Sequence, residues 1–359
     1  MRIHAFVAHI VWLALSSQFL TSRGSAQTEV PKPAMPVEPI AAIVEAFRSH
    51  SVVALGDAHG NEQAQAFLKS LIRDARFAGL VNDIVIEFGN ARYQNVVDRF
   101  VRGETVPADS LRLVWQNTTI PNEIPVDEEF FQVVRTVNAS LLRERQLRVL
   151  LGDPPIDWSA VRDRADHFKW LAMRDSYPAS LIQVEVLARQ RRALVVYGQL
   201  HYQRKNVMSN MDMSDWRMQT IISLIASSSP AKIFTIWNVD DGLAAVQPDI
   251  ATWRAPSLAI LRGTKLGAAD ITAVTPTPVR FAFQGETSVQ IPREQWRPLR
   301  AEDQLDAVLY LGPRSTLTQA PISPICADRR YIEERLRRIA LTGIPPAEAE
   351  RVKQHCQGK

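Results

Sequence analysis

Short, continuously apolar runs alternate along this chain with longer stretches whose apolar residues recur every three or four positions. The runs are "SVVALGD", "DIVIEFG", "LRVLLGDPP", "ALVVYGQLH" and "AKIFTIWNVDD". Between them, "AAIVEAFRSH", "EQAQAFLKSLIRDARF", "ARYQNVVDRFVRG", Asp127 to Arg145, "SAVRDRADHFKWLAMRDSYPASLIQVEVLARQR" and Met213 to Ala226 carry the helical period. Gly103 ends the third of these stretches, and Pro178 sits near the start of the second helix in the long one. Strands that are apolar throughout, rather than alternating, are buried on both faces. The pattern therefore predicts an α/β fold, a mostly parallel sheet flanked by helices on both faces.

After Gly242 the rhythm weakens. "TPTPVRFAFQGETSVQIPREQWRPL" is polar and rich in proline, "DAVLYLG" reads as one more strand, and Arg329 to Arg338 as a charged closing helix. The expected organisation is a main domain over residues 40–242 and a C-terminal extension, 243–359, packed on it as a cap or edge. No internal repeat has a solenoid period.

With 46% apolar and 22% charged residues, the chain has the make-up of a globular protein with a large core. Its N-terminus reads as a secretory signal: Arg2 and His4 precede "AFVAHIVWLALSSQFL", and "TSRGSAQ" supplies small residues before a cut after Ala26. The apolar part is shorter than the roughly 20 residues a membrane span needs, and no later segment is apolar enough to span. The protein is thus expected to be exported, periplasmic or extracellular. Residues 27–39 are proline-rich and read as an extended linker. Loss of Arg2 and Arg23 takes the formal charge from +4 to +2 without creating a basic face, so no nucleic-acid partner is indicated. The two cysteines, Cys326 and Cys356, are too sparse for a metal site, and a structural disulfide between them is favoured.

In an open parallel sheet, ligands bind beyond the carboxyl ends of the strands, and here those ends carry reactive side chains. The first gives Asp57 and His59, the second Glu87, the third Asp153, the fourth His201, and the fifth Asp240 and Asp241. His59 and His201 share one frame, Gly-x-x-His, in which Gly56 and Gly198 let the backbone turn where a side chain would obstruct a ligand. Two imidazoles and a carboxylate facing one cavity suit either of two tasks. They can bind a divalent metal through His59, His201, Glu87 and Asp57, or divide base and charge-stabilising duties in attack by water. Glu87 follows "IVI", so desolvation is expected to raise its pKa. The simpler alternatives are that Asp57 caps the helix starting near Asn61, that Asp153 shapes a loop, that Asp240 and Asp241 are turn residues and that Arg174 and Asp175 form a surface pair. His50, His167 and His355 read as structural. No Gly-x-Ser-x-Gly elbow, Walker motif or dinucleotide fingerprint is present, which argues against an ordinary serine hydrolase and against nucleotide chemistry.

Taken together, "LGDAHGNEQAQ", "IVIEFGNARYQNVVDRFVRGE", "MRDSYPASLI" and "VVYGQLHYQR" resemble the ChaN-like haem-binding-uptake/Tiki superfamily and, more distantly, the erythromycin esterases. The resemblance spans roughly Val52 to Arg204 and marks Gly56, His59, Glu87, Gln94, Asp98, Arg174, Asp175, Gly198 and His201. Asp57 stands where that family has Glu, Tyr177 and Pro178 replace its Met-Ala helix start, and the lipid-modified cysteine of some relatives is absent. The Gly-x-x-His spacing is that of the ChaN and Tiki forms rather than the esterases. The superfamily divides between metal-dependent peptidase-like activity, ester hydrolysis and haem or iron binding. The resemblance therefore implies a pocket more than a reaction.

The leading expectation is hydrolysis of an ester or amide in a small-molecule or peptide substrate. Water would be activated by His59 with Glu87, directly or through a divalent metal. His201 would serve as second ligand or proton donor, and Arg174 would stabilise developing charge. The rival is a non-catalytic haem- or iron-binding protein, with Tyr93, Tyr197 or Tyr202 offering a phenolate to ferric iron.

Overall fold

The structure, a computed structural model, describes residues 31–121, 128–204, 219–228, 232–242, 246–274, 281–284, 287–290, 298–321, 323–342 and 346–356. The expected signal segment and the start of the helix expected from Met213 lie outside the described residues. All six expected strands form. They are β1 (Val52–Asp57), β2 (Asp83–Asn90), β3 (Arg148–Asp153), β4 (Ala193–Gly198), β5 (Ile233–Val239) and, after three strands that the pattern did not announce, β9 (Ala307–Tyr310). The unannounced strands are β6 (Ser257–Ile260) and the hairpin β7 (Phe281–Gln284) with β8 (Thr287–Gln290). At four residues each, they are too short to show a period.

Seven strands make one sheet in the order β3-β2-β4-β1-β5-β9-β6. Every pairing is parallel except that of β6 with β9. The chain passes from β1 to β2 and β3, then returns to insert β4 between β2 and β1. The loops leaving β2, β4 and β1 therefore open side by side, the topology that makes a crevice at the carboxyl edge of such sheets.

Successive side chains of β1 face opposite layers, as a strand requires. Val52 and Ala54 pack with Ile182, Val186 and Ile225. Val53 and Leu55 pack with Phe47, Leu71 and Phe131 on the other face. That second face is covered by α1 (Pro39–Ser49), α2 (Glu62–Arg73), α3 (Ala75–Leu80), α4 (Gln94–Val101), α5 (Ala108–Gln116) and α6 (Glu129–Ala139). The first is covered by α8 (Ser176–Ile182) and α9 (Ile221–Ser228), with α7 (Arg164–Leu171) before them in the chain. The helix α5 was not anticipated. Asp74 splits the stretch expected as one helix, because its carboxylate accepts the Arg76 N–H and starts α3 afresh. The helix expected to reach Arg145 ends at Ala139, and the long stretch after Ser159 breaks into α7, α8 and the π turn Gln183–Leu187.

The C-terminal extension supplies β9 and the antiparallel edge β6. Residues 31–38 do not run free as a linker. Val37 exchanges backbone hydrogen bonds of 2.8 and 3.1 Å with Leu258 of β6, and Lys32 N–H donates to Gly263. Cys326 and Cys356 are bonded, at 2.02 Å, joining the segments on either side of the helix Arg329–Thr342. This helix buries Arg335, Arg338, Ile339 and Thr342. Arg338 donates to Gln116 O at 2.8 Å and Asn117 Oδ1 at 2.7 Å, with its guanidinium 5.1 Å from the Trp158 ring centre. Among the described residues no helix is long and apolar enough to cross a membrane.

One close approach is enforced by the absence of a side chain. A Cβ on Gly152 would lie 1.8 Å from the Tyr197 hydroxyl, which is buried and has no hydrogen-bond partner among the described residues. Gly152→Ala is expected to destabilise the protein by about 3 kcal/mol in urea denaturation, an overpacking penalty. Adding Tyr197→Phe, which removes the clashing oxygen, should recover part of the loss. Equal losses with and without the hydroxyl would contradict this account.

Candidate active site

Three adjacent strand ends build the site. After β1 the chain turns through Ala58 to Gly60, and Asn61, not Asp57, caps α2 by accepting the Ala64 N–H at 2.8 Å. Asp57 is turned instead to His59, whose Nδ1 lies 2.8 Å from Asp57 Oδ2. In β2 the pairing with β3 slips: Ile86 is opposite Leu151, but Asn90 is opposite Asp153. Two extra residues are thus taken up between Ile86 and Asn90. A bulge of this kind re-aims side chains, and this one holds Glu87, Phe88 and Gly89. After β4 a 3-10 turn, Gln199–Tyr202, carries His201.

Glu87 is where these elements meet. The Gly198 N–H donates to its Oε2 at 2.7 Å, and Arg174, from the loop between α7 and α8, donates to its Oε1. His201 Nε2 lies 3.4 Å from Oε1, and His59 Nε2 lies 3.8 Å from Oε2. A Cβ on Gly198 would stand 3.2 Å from His59 Nε2 and 3.4 Å from Glu87 Oε2, so glycine there is what lets ring and carboxylate approach. Each imidazole is held from behind by an aspartate. Asp57 holds His59, and Asp175 Oδ1 lies 2.8 Å from His201 Nδ1 while also accepting the Ile221 N–H at 3.0 Å.

The electrostatics correct one expectation. Burial does push Glu87 up, but His201, Arg174 and His59 together outweigh it and hold the carboxyl well below its usual range. Glu87 is therefore a fixed anion rather than a base. Burial pulls His59 down, but Asp57, by hydrogen bond and charge, and then Glu87 raise it to about 9. For His201, burial is likewise outweighed by Asp175 and Glu87, which raise it to about 10. Behind Arg174, burial raises Asp153 to about 7, against the opposing pull of Arg174 and of its hydrogen bonds from Thr119. Those bonds are 2.8 Å from the Thr119 N–H and 2.5 Å from its hydroxyl.

The cleft beside this cluster is lined by Asp57, His59, Glu87, Asp153 and Arg174, and on its apolar side by Leu68, Phe88, Trp115 and Phe130. His201 does not line it; both imidazoles bear on Glu87, and only His59, with a side chain 39% exposed, faces the opening. The expectation of two rings facing each other across one pocket is corrected accordingly. Gln94 and Asp98 stand elsewhere. Gln94 pairs the Leu151 N–H and Val149 C=O on the outer edge of β3 and donates to Asp98. Asp240 accepts from the Gly242 N–H and Arg314, and Asp241 from the Arg314 N–H, which makes this a turn. His50 closes α1, and His167 Nε2 bonds Thr119 O at 2.8 Å; the side chain of His355 lies outside the described residues. Asp175 as the His201 anchor, the Thr119–Asp153 pair and the apolar wall were not assigned from sequence. The Arg-Asp pair signalled the first, whereas the others depend on long-range packing.

A divalent metal does not fit this arrangement. Among the described residues no group of three or more His, Cys, Asp or Glu side chains is placed to hold one. Asp57 is committed to His59 Nδ1, both Glu87 oxygens already accept N–H donors, and the Arg174 guanidinium stands beside the carboxylate. The tyrosines proposed for ferric iron are also engaged or buried. Tyr202 donates to Val195 O at 2.7 Å, Tyr93 accepts from Asn117, and burial pushes Tyr197 and Tyr202 well above the usual phenol range.

No family model and no curated protein matches the chain. Solved structures do. The chain shares its fold with a succinoglycan biosynthesis protein. The two are 9% identical at a TM-score of 0.51, over 79% of this chain and 95% of that one. An erythromycin esterase, EreC, in its open conformation is similar at 9% identity and a TM-score of 0.45, over 79% and 94%. ChaN of Campylobacter jejuni, with cofacial haem binding, is similar at 13% identity and a TM-score of 0.36, over 56% and 87%. What the first of these likenesses establishes is the fold.

The raised imidazoles have a consequence for stability. Their favourable charge is fully present below about pH 6.5, the unfolded value, and is lost as pH rises through about 9 and about 10. Stability measured by urea denaturation is expected to fall across that window, and to fall less in His201→Gln. A stability flat from pH 6.5 to 10 would contradict the arrangement.

Proposed function

We propose that the protein hydrolyses an ester or amide, with His59 activating water at the mouth of the cleft. The observation that carries this reading is the Asp57–His59–Glu87 alignment, in which one imidazole nitrogen is held by a carboxylate and the other is turned to a fixed anion. Neutral His59 takes a proton from water as the water attacks the carbonyl carbon, and Asp57 steadies the resulting imidazolium. The same proton then passes to the leaving oxygen or nitrogen as the bond to the acyl carbon breaks. Arg174, which lines the cleft beside Glu87, stabilises the charge on the carbonyl oxygen. His201 acts through Glu87, holding it and Arg174 in place. Export is part of the proposal, supported by the Cys326–Cys356 bond, which belongs in an oxidising compartment.

Turnover of p-nitrophenyl acetate is the first test. His59→Ala should lower kcat by about a thousandfold and His201→Ala by about tenfold, both variants remaining folded though less stable than the wild type. Because the base must be neutral, kcat/KM should rise with pH through about 9. Full turnover in His59→Ala would sink the mechanism. A saturable Soret shift on haemin titration, without hydrolysis, would favour the haem-binding reading.

A further inference from the structure

We propose that the cleft is built for an apolar acyl group, which names the substrate class of the hydrolytic reading and rests on it. Two kinds of residue line the cleft. Asp57, His59, Glu87, Asp153 and Arg174 are polar, as are Gln65, Thr118 and Arg335; Leu68 of α2, Phe88 of the β2 bulge, Trp115 of α5 and Phe130 of α6 are apolar. Leu68, Trp115 and Phe130 come from three of the six helices that cover one face of the sheet, so their wall continues directly into the core.

These apolar groups are fixed rather than loose. Phe88 meets Phe130 edge-on at 5.4 Å, and Trp115 stacks on Phe131 at 5.3 Å. Arg335, from the helix Arg329–Thr342, also lines the cleft, with its Nε 3.0 Å from the Tyr331 hydroxyl, so the extension adds a cation to the lining.

The orientation follows from the chemistry of the step. The tetrahedral oxyanion and the carboxylate product both sit on the acyl carbon, so Arg174, which offsets that charge, marks the acyl side. The apolar residues of the same cleft receive the rest of the acyl group. A leaving alcohol or amine lies toward the opening, where His59 delivers its proton.

The test is a chain-length series read in two ways. In p-nitrophenyl acetate, butyrate and hexanoate, kcat/KM should rise about three- to fourfold per added methylene. The affinity of the free carboxylates acetate, butyrate and hexanoate, measured by calorimetry, should climb in step. Trp115→Ala, with Trp115→Phe as a milder variant in case the first fails to fold, should flatten both slopes. Equal kcat/KM across the esters together with flat carboxylate affinities would overturn the acyl-site inference and leave hydrolysis standing. Climbing affinities with no ester cleaved would instead uphold the site and remove the hydrolase. A rise that follows the length of the alcohol in alkyl acetates, and not that of the acyl group, would also overturn it.

Discussion

Glu87 places a full negative charge where water reaches it poorly, and the fold around it supplies what water would have. Two imidazolium rings, one guanidinium and one backbone N–H converge on its two oxygens. They come from three places: His59 from the end of β1, Gly198 and His201 from the end of β4, and Arg174 from the loop between α7 and α8. Holding them together requires β4 to lie between β2 and β1, and the β2 bulge to turn Glu87 toward both neighbours. Removing any one cation would leave part of a buried charge uncompensated, which is far more costly than losing a surface pair. The same carboxylate adds to what Asp57 and Asp175 do in raising both histidines, so architecture and acid–base behaviour are linked.

The fold was largely legible because the strands are apolar without alternation, which only a sheet covered on both faces allows. The shared Gly-x-x-His frame also pointed to the right residues: His59 and His201 do meet at Glu87, and Gly198 is glycine because the His59 ring passes over it. Sequence could not show that His201 lies outside the cleft, since strand-end position does not say on which side of a central carboxylate a ring falls. Nor could it give the sign of the Glu87 shift. "IVI" announces burial, but the three compensating cations arrive from positions up to 114 residues away. The short edge strand β6 and helix α5 carry too little periodicity to stand out.

The C-terminal extension is the clearest case of a pattern that misleads. "RRYIEERLRRIA" reads as a charged closing helix, and its buried face contains two of those charges, Arg335 and Arg338. Arg338 grips Gln116 and Asn117, next to Thr119, whose N–H and hydroxyl hold Asp153 behind Arg174. The extension is thus tied to the back of the site by hydrogen bonds, and the Cys326–Cys356 bond closes it upon itself. Planar guanidinium groups suit this role, because they satisfy several backbone and side-chain acceptors at once while their faces pack on aromatic rings.

The account stands on Glu87 as the charge both imidazoles share, and ring-nitrogen NMR of His59 and His201, in the wild type and in Glu87→Gln, addresses it directly. Both rings should carry two protons at pH 8, lose one near 9 and near 10, and titrate at clearly lower pH once Glu87 is neutral. Titration of both near the ordinary 6.5 in the wild type, or values unmoved by Glu87→Gln, would contradict it.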